Sequence, residues 1–263
     1  MQNILELKKT CLAGMSQEEI KAYLKDNGYE WKDWYFDIVY TPGRIVDNIQ
    51  FWKVSSEYVS NIRPDEVIGH NHGSISDDYD WITLLSCLER WNNDIDADAI
   101  TNMLKEQENL PTGSLIHLEK YGNFYFFCEG RHRMVQAKFL EVEKVRCLVS
   151  EYIFDEHAYN LFCRIQSKAN ILKEDNWRPD LPVNATVEGI QFVIPLEDKA
   201  VEVLEQSIMN AHRIARIPLY RRYYTLRKGD GDNPYQCFNL KFPQSTEKIV
   251  SALVNRMRKT GKR

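Results

Sequence analysis

Long hydrophobic runs are missing: no stretch of the 263 residues approaches the ~20 apolar residues that a membrane-spanning helix requires. The first residues, MQNILELKKTCL, also lack the apolar core and small-residue cleavage site of a secretory signal peptide. A cytoplasmic protein with no membrane partner is therefore expected. Cysteine is sparse and scattered. The six residues Cys11, Cys87, Cys128, Cys147, Cys163 and Cys237 form no Cys-x-x-Cys pair, and most lie in apolar segments. That pattern fits buried free thiols better than a zinc site or a disulfide frame. An excess of positive charge is absent as well: a formal net charge of -4 argues against coating nucleic acid by bulk charge and leaves room for a local basic patch. The acidic run Asp94-Ile95-Asp96-Ala97-Asp98-Ala99 lacks the turn glycine and terminal glutamate of a calcium loop and reads as a solvated helix start.

What remains is an ordinary globular composition, 43% apolar and 27% charged, long enough for one large or two small domains. Residues 1–50 read as a helical N-terminal arm. Ser16 and Glu19 form a capping box for a helix through Ile20, Tyr23 and Leu24 that ends at Asn27-Gly28. Trp31, Trp34, Tyr35 and Phe36 then pack the arm onto the next domain, a base-stacking platform being the competing use. Thr41-Pro42-Gly43 is a turn and marks the boundary. Trp52, Val54, Val59 and Ile62 give a weak strand signal, broken by Arg63-Pro64-Asp65, and residues 68–76 read as a polar loop. His70, His72, Asp77 and Asp78 carry ligand-type side chains at short spacing, although a His-x-His pair with no downstream partner is a weak metal signature. Helical spacing returns at Trp81, Leu84, Leu85 and Leu88, and again at Ile100, Met103 and Leu104.

Leu115 to Glu119 and Phe124 to Phe127 read as a hairpin. The aromatic run stops at Glu129-Gly130, a helix carrying Met134, Val135, Ala137, Phe139 and Leu140 follows, and Val145 to Val149 reads as a further buried strand. The chemistry of this strand-turn-helix-strand unit lies in its turn. Gly130 lets the backbone approach a ligand, the N–H groups of Arg131, His132 and Arg133 open a helix whose positive end suits phosphate, and Arg133 can add a bidentate grip. Residues 155–174 read as a helix and 176–182, with two prolines, as a linker, giving a domain of residues 51–175. Residues 176–263 read as a small α+β domain: a strand at 192–194, a helix through 200–211, a hairpin of 223–226 with 238–242, and a last helix through 249–257.

Glu129-Gly130-Arg131-His132-Arg133, set between an aromatic strand and a short helix, resembles the Gly-x-His-Arg or Gly-x-x-Arg signature of the ParB/sulfiredoxin superfamily, over roughly residues 50–150. The resemblance implies a mixed α/β domain whose turn holds nucleotide phosphates. Superfamily members include chromosome-partitioning clamps, sulfiredoxins and kinases that phosphorylate free serine. Sulfiredoxin's catalytic cysteine falls at Arg131, so peroxiredoxin repair is not expected, and the helix-turn-helix that usually follows in partitioning proteins is absent beyond Val149.

Carried onto this chain, the resemblance makes Glu129 and His132 the catalytic candidates and Gly130, Arg131, His132 and Arg133 the phosphate site. His72, Ser74 and Ser76 would face it from the polar loop, and Glu129 with Asp77 would hold Mg²⁺. The ligand would be ATP, ADP or CTP, used in phosphoryl transfer to a small-molecule acceptor or in hydrolysis. The alternative is a DNA-associated, partition-like protein of plasmid, phage or defence type that is not catalytic. It would touch DNA through Arg216, Arg221, Arg222, Tyr223 and Lys228, where cations alternate with tyrosines, and through the basic C-terminus. A homodimer is open in either reading.

Overall fold

Packing divides the chain into two units, Met1–Phe154 and Asp155–Arg263. The computed structural model describes residues 3–73, 75–76, 78–88, 101–102, 104, 109–172, 177–215, 237–240 and 246–259. Both units are mixed α/β, in keeping with the α+β class.

The first unit is built on a five-stranded sheet of β1 (Trp52–Ile62), β2 (Val67–His70), β3 (Ile116–Tyr121), β4 (Phe124–Glu129) and β5 (Val145–Phe154). Their order is β1-β5-β3-β4-β2. The pairs β1/β5 and β3/β4 are antiparallel, while β3/β5 and β2/β4 are parallel. Alternation along β3 sends Ile116 and Leu118 to one face of the sheet, His117 and Glu119 to the other. On the apolar face they join Phe127, Cys147 and Val149 in one core with the helices.

Those helices are α1 (Gln17–Asp26), the single turn α2 (Pro42–Ile45), α3 (Trp81–Ser86) and α4 (Arg131–Phe139). The expected capping box is present at α1, with Glu19 N–H donating to Ser16 Oγ and Ser16 N–H to Glu19 Oε2. Leu5, Leu7, Leu12, Ile20 and Leu24 share the core of the sheet, so residues 1–50 form part of the first unit's core and are not a separate arm. The aromatic cluster does the packing expected of it. The rings of Trp34 and Tyr35 lie 4.9 and 4.7 Å from that of Phe139, whereas Trp31 stays exposed.

Residues 68–70, expected in a loop, belong to β2. They are seated between β4 and the segment around Tyr40: Tyr40 N–H donates to Ile68 O (3.2 Å) and His70 N–H to Tyr40 O (2.8 Å). The approach is so close that a Cβ on Gly69 would fall 1.8 Å from Tyr40 O. Gly69, which reads as a loop residue, is there to admit another backbone.

The second unit has a sheet of β6 (Asn170–Ile171), β7 (Val183–Val187), β8 (Ile190–Ile194) and β9 (Cys237–Asn239), in that order. Its helices are α5 (Glu156–Gln166), α6 (Asp198–Ala215) and α7 (Thr246–Lys259). The helix expected to run to residue 174 stops at Gln166, because Asn170 and Ile171 pair with β7. Leu161 and Ile165 of α5 lie in the second unit's core, and Arg164 clamps Glu205 of α6 through two bonds of 3.1 and 2.7 Å. The division therefore falls at Phe154/Asp155, ahead of the proline-rich segment read as a linker. β9 pairs with β8 in parallel, while residues 223–226, its expected hairpin partner, lie outside the described residues.

Candidate functional site

Gly130 takes a left-handed conformation (φ 78°, ψ 25°) as the N-cap of α4, and no side chain caps the helix. A Cβ there would lie 3.0 Å from Ile116 Cγ1 and 3.1 Å from Ile116 Cα, so the turn is pressed against the start of β3. Arg133, one turn into the helix, folds back over it. Its Nη1 donates to Ser114 O at 2.7 Å, and its Nη2 would lie 3.2 Å from that same Cβ. The guanidinium is half-buried and makes no ion pair among the described residues; burial lowers its pKa, with Cys147 acting weakly the other way. A desolvated cation at the positive end of a helix, with no carboxylate against it, is an arrangement that an anion would relieve.

The loop expected to face the turn leaves the sheet beside it. β2 runs parallel to β4 with His70 opposite Phe127, and Asn71 N–H donates to Phe127 O at 2.8 Å. The two strands thus deliver residues 71–73 and Glu129–Arg133 past adjacent carboxyl ends, the usual place for a ligand in parallel strands. His72 is half-buried, its N–H donating to Nδ1 of the buried His70 (3.2 Å), and Ser76 is exposed. Glu129 is exposed and Arg131 and His132 are half-buried. Ser74 and Asp77 lie outside the described residues. Asp78 pairs with Arg44 at 3.1 Å. No group of three or more His, Cys, Asp or Glu side chains among the described residues is arranged to hold a metal ion.

Sequence reasoning missed a polar network on the sheet face opposite the core. His117 Nε2 lies 2.8 Å from Ser150 Oγ, and Ser150 donates to Glu57 Oε1 at 2.8 Å. Since the hydroxyl proton goes to Glu57, Nε2 is the donor to Ser150. Two residues along β3, Glu119 accepts from Asn71 Nδ2 (2.7 Å), Tyr121 OH (3.3 Å) and Tyr152 OH (3.3 Å). Burial, then Glu119, raises both tyrosine pKa values, that of Tyr152 to about 12. Burial also lifts Cys128 to about 12. The residues of each chain come from strands far apart in sequence, so only the alternation in β3 hinted at them.

The other unforeseen feature is Lys138, near the end of α4. Its side chain lies at the base of a cleft of about 760 Å³ that includes Trp34, Tyr40, Arg63 and Trp81. Its ammonium donates to Pro64 O (3.1 Å), Val67 O (2.9 Å) and, at 3.5 Å, Asp65 O. The ring centres of Trp81 and Trp34 are 4.4 and 5.5 Å away. Burial pulls its pKa down to about 8, against the pull of Asp65 and Asp37.

Of the basic segment put forward for DNA, Arg216, Arg221, Arg222, Tyr223 and Lys228 lie outside the described residues. Among the described residues no helix is long and apolar enough to cross a membrane. Of the six thiols, Cys147 is buried as expected and Cys11 and Cys237 are exposed. Comparison with protein-family models, curated proteins and solved structures gave no match to the chain.

Proposed function

We propose that the chain binds a nucleotide (ATP, ADP or CTP) through its phosphates at Gly130–Arg133 and uses it for phosphoryl transfer or hydrolysis. The observation that carries this reading is the half-buried Arg133 guanidinium, with no carboxylate against it among the described residues, folded over a helix start that no side chain caps. Phosphoryl transfer asks little covalent help of a protein beyond positioning and charge stabilisation. In this reading Arg133 and the first amides of α4 hold the phosphates, and His132 donates to them. Glu129, exposed at the lip of the turn, orients the acceptor or the attacking water. Glu129, the one described member of the expected Mg²⁺ pair, would hold the ion by its carboxylate, and the ion would supply neutralisation of phosphate charge.

The test is a calorimetric titration of the full chain with ATP, ADP, CTP and GTP, each with and without Mg²⁺, repeated on Arg133→Ala. Binding by the wild type that Arg133→Ala abolishes, with the variant still folded by circular dichroism, is the expected result. Wild-type protein that binds none of the four, or a variant that binds as well, overturns the assignment. Release of inorganic phosphate that Glu129→Gln suppresses while leaving affinity intact would carry the catalytic half.

A further inference from the structure

The second unit carries two adjoining clefts, of about 630 and about 540 Å³, that share Ser167, Lys168, Ile208 and His212. We propose that this groove holds the phosphodiester backbone of a nucleic-acid strand, at a site independent of the nucleotide turn in the first unit.

The argument begins with where the cations come from. Lys168 follows the end of α5, Arg213 lies beside His212 in the last turn of α6, and Arg256 lies on α7, so three separate helices bring lysine and arginine charge to one groove. Cations near a helix C-terminus are common because they offset its dipole. Convergence of several on one concavity is not explained by that. Lys168, His212 and Arg213 are exposed and make no ion pair among the described residues. Glu205, the carboxylate of the second cleft, is held by Arg164 at 2.7 Å and 3.1 Å, and Lys168 acts on it more weakly. Glu188 is the one carboxylate on the wall of the first cleft.

An apolar element sits among these charges. Met209 is 63% exposed, the highest value among the large hydrophobic side chains described, and helical spacing places it on the same face as His212 and Arg213. A sugar or base can rest on such a side chain while flanking cations take the phosphates, a division of labour usual in strand-binding grooves. A lone phosphate would occupy one cleft, whereas a polyphosphodiester spans both. The sequence directly beyond α6 continues the pattern, with Arg216, Arg221, Arg222 and Lys228 interleaved with Tyr220, Tyr223 and Tyr224.

The experiment is fluorescence anisotropy of a fluorescein-labelled oligodeoxynucleotide, single-stranded and as a duplex, titrated with the full chain over a range of salt. Wild-type protein should bind at least one form, with affinity falling steeply as salt rises. The double variant Lys168→Glu/Arg213→Glu should bind at least about tenfold more weakly, with the log–log salt slope reduced by about 2. Both side chains are exposed, so the variant should keep the wild-type melting curve. Lys199→Glu, an exposed cation on α6 outside both clefts, should bind as wild type. Arg133→Ala should bind the oligonucleotide unchanged, which separates this site from the turn. No binding by wild type, wild-type affinity and slope in the double variant, or equal competition by polyglutamate would each overturn the proposal, the last in favour of an acidic peptide.

Discussion

Half-buried Arg133 and buried Lys138 are cations on one nine-residue helix, and neither has a carboxylate partner among the described residues. The difference is in how their donors are spent. Lys138 has three N–H groups and three backbone carbonyls within reach, with indole faces closing the rest of its surface. Arg133 has five N–H groups, and one carbonyl, Ser114 O, accepts from it. A buried charge whose hydrogen-bonding capacity is exhausted is a structural tie, here fastening the end of α4 to the Pro64–Val67 turn. One with donors in reserve is equipped to meet a ligand. The comparison separates two residues that charge and helix alone would class together.

The sharpest break is to remove each cation. Lys138→Met keeps the stem and deletes the ammonium, leaving the Val67 carbonyl without its lysine donor and the Pro64 carbonyl with the Val67 N–H alone. Urea unfolding should show a loss of about 2 kcal/mol, since an orphaned buried carbonyl costs ~1–3 kcal/mol. Nucleotide titration should be unchanged. A variant as stable as wild type would show that those carbonyls reach water and that Lys138 is no tie.

The charge itself can be probed without a second mutation. Folded Lys138 titrates at about 8 against its ordinary 10.5, so between those values the unfolded chain binds more protons. Stability of the wild type relative to Lys138→Met should therefore be flat below pH 8. It should then rise toward pH 10.5 by about 3 kcal/mol, the burial penalty being relieved as the amine loses its proton. Taking the difference against the variant cancels the cysteines and tyrosines that titrate in the same range. A difference that falls with pH would reverse the assignment.

Gly130→Ala acts at the other end. The left-handed φ of 78° and the 3.1 Å approach to Ile116 Cα should cost about 2 kcal/mol in unfolding. Nucleotide affinity should fall too, because the displaced Arg133 leaves the turn. Smallest in stability is Arg133→Ala, about 1 kcal/mol for one exchanged hydrogen bond, with loss of nucleotide binding out of proportion to it. An Arg133→Ala defect confined to stability would make the two cations alike after all.

The turn was legible because its signals are local. Five apolar residues end at a glycine with a helical pattern behind it, and β4, Gly130 and α4 follow that order. The capping box at Ser16 was legible for the same reason. Lys138 was not, since a lysine between Ala137 and Phe139 looks like the polar side of a helix, and its carbonyl partners are more than seventy residues away. Glu57, His117 and Ser150 were silent for the same cause, being 33 and 93 positions apart across three strands. β2 was hidden differently. Four residues containing Gly and His carry no strand pattern of their own, and their extended form is imposed by β4 on one side and Tyr40 on the other.

That last arrangement bears on how the protein behaves in a crowded solution. The five-stranded sheet has two rims, and an uncovered rim recruits other chains. On the β2 side, the backbone of Tyr40 takes up the outward-facing Ile68 carbonyl and His70 amide, which Gly69 makes possible by presenting no side chain. On the β1 side, the irregularity between Val54 and Ser56 interrupts what would otherwise be a long flat template. A methyl group at position 69 would prise the cover away and leave β2 open to a strand from another molecule, so its first consequence would be clumping at concentrations where the wild type stays dispersed.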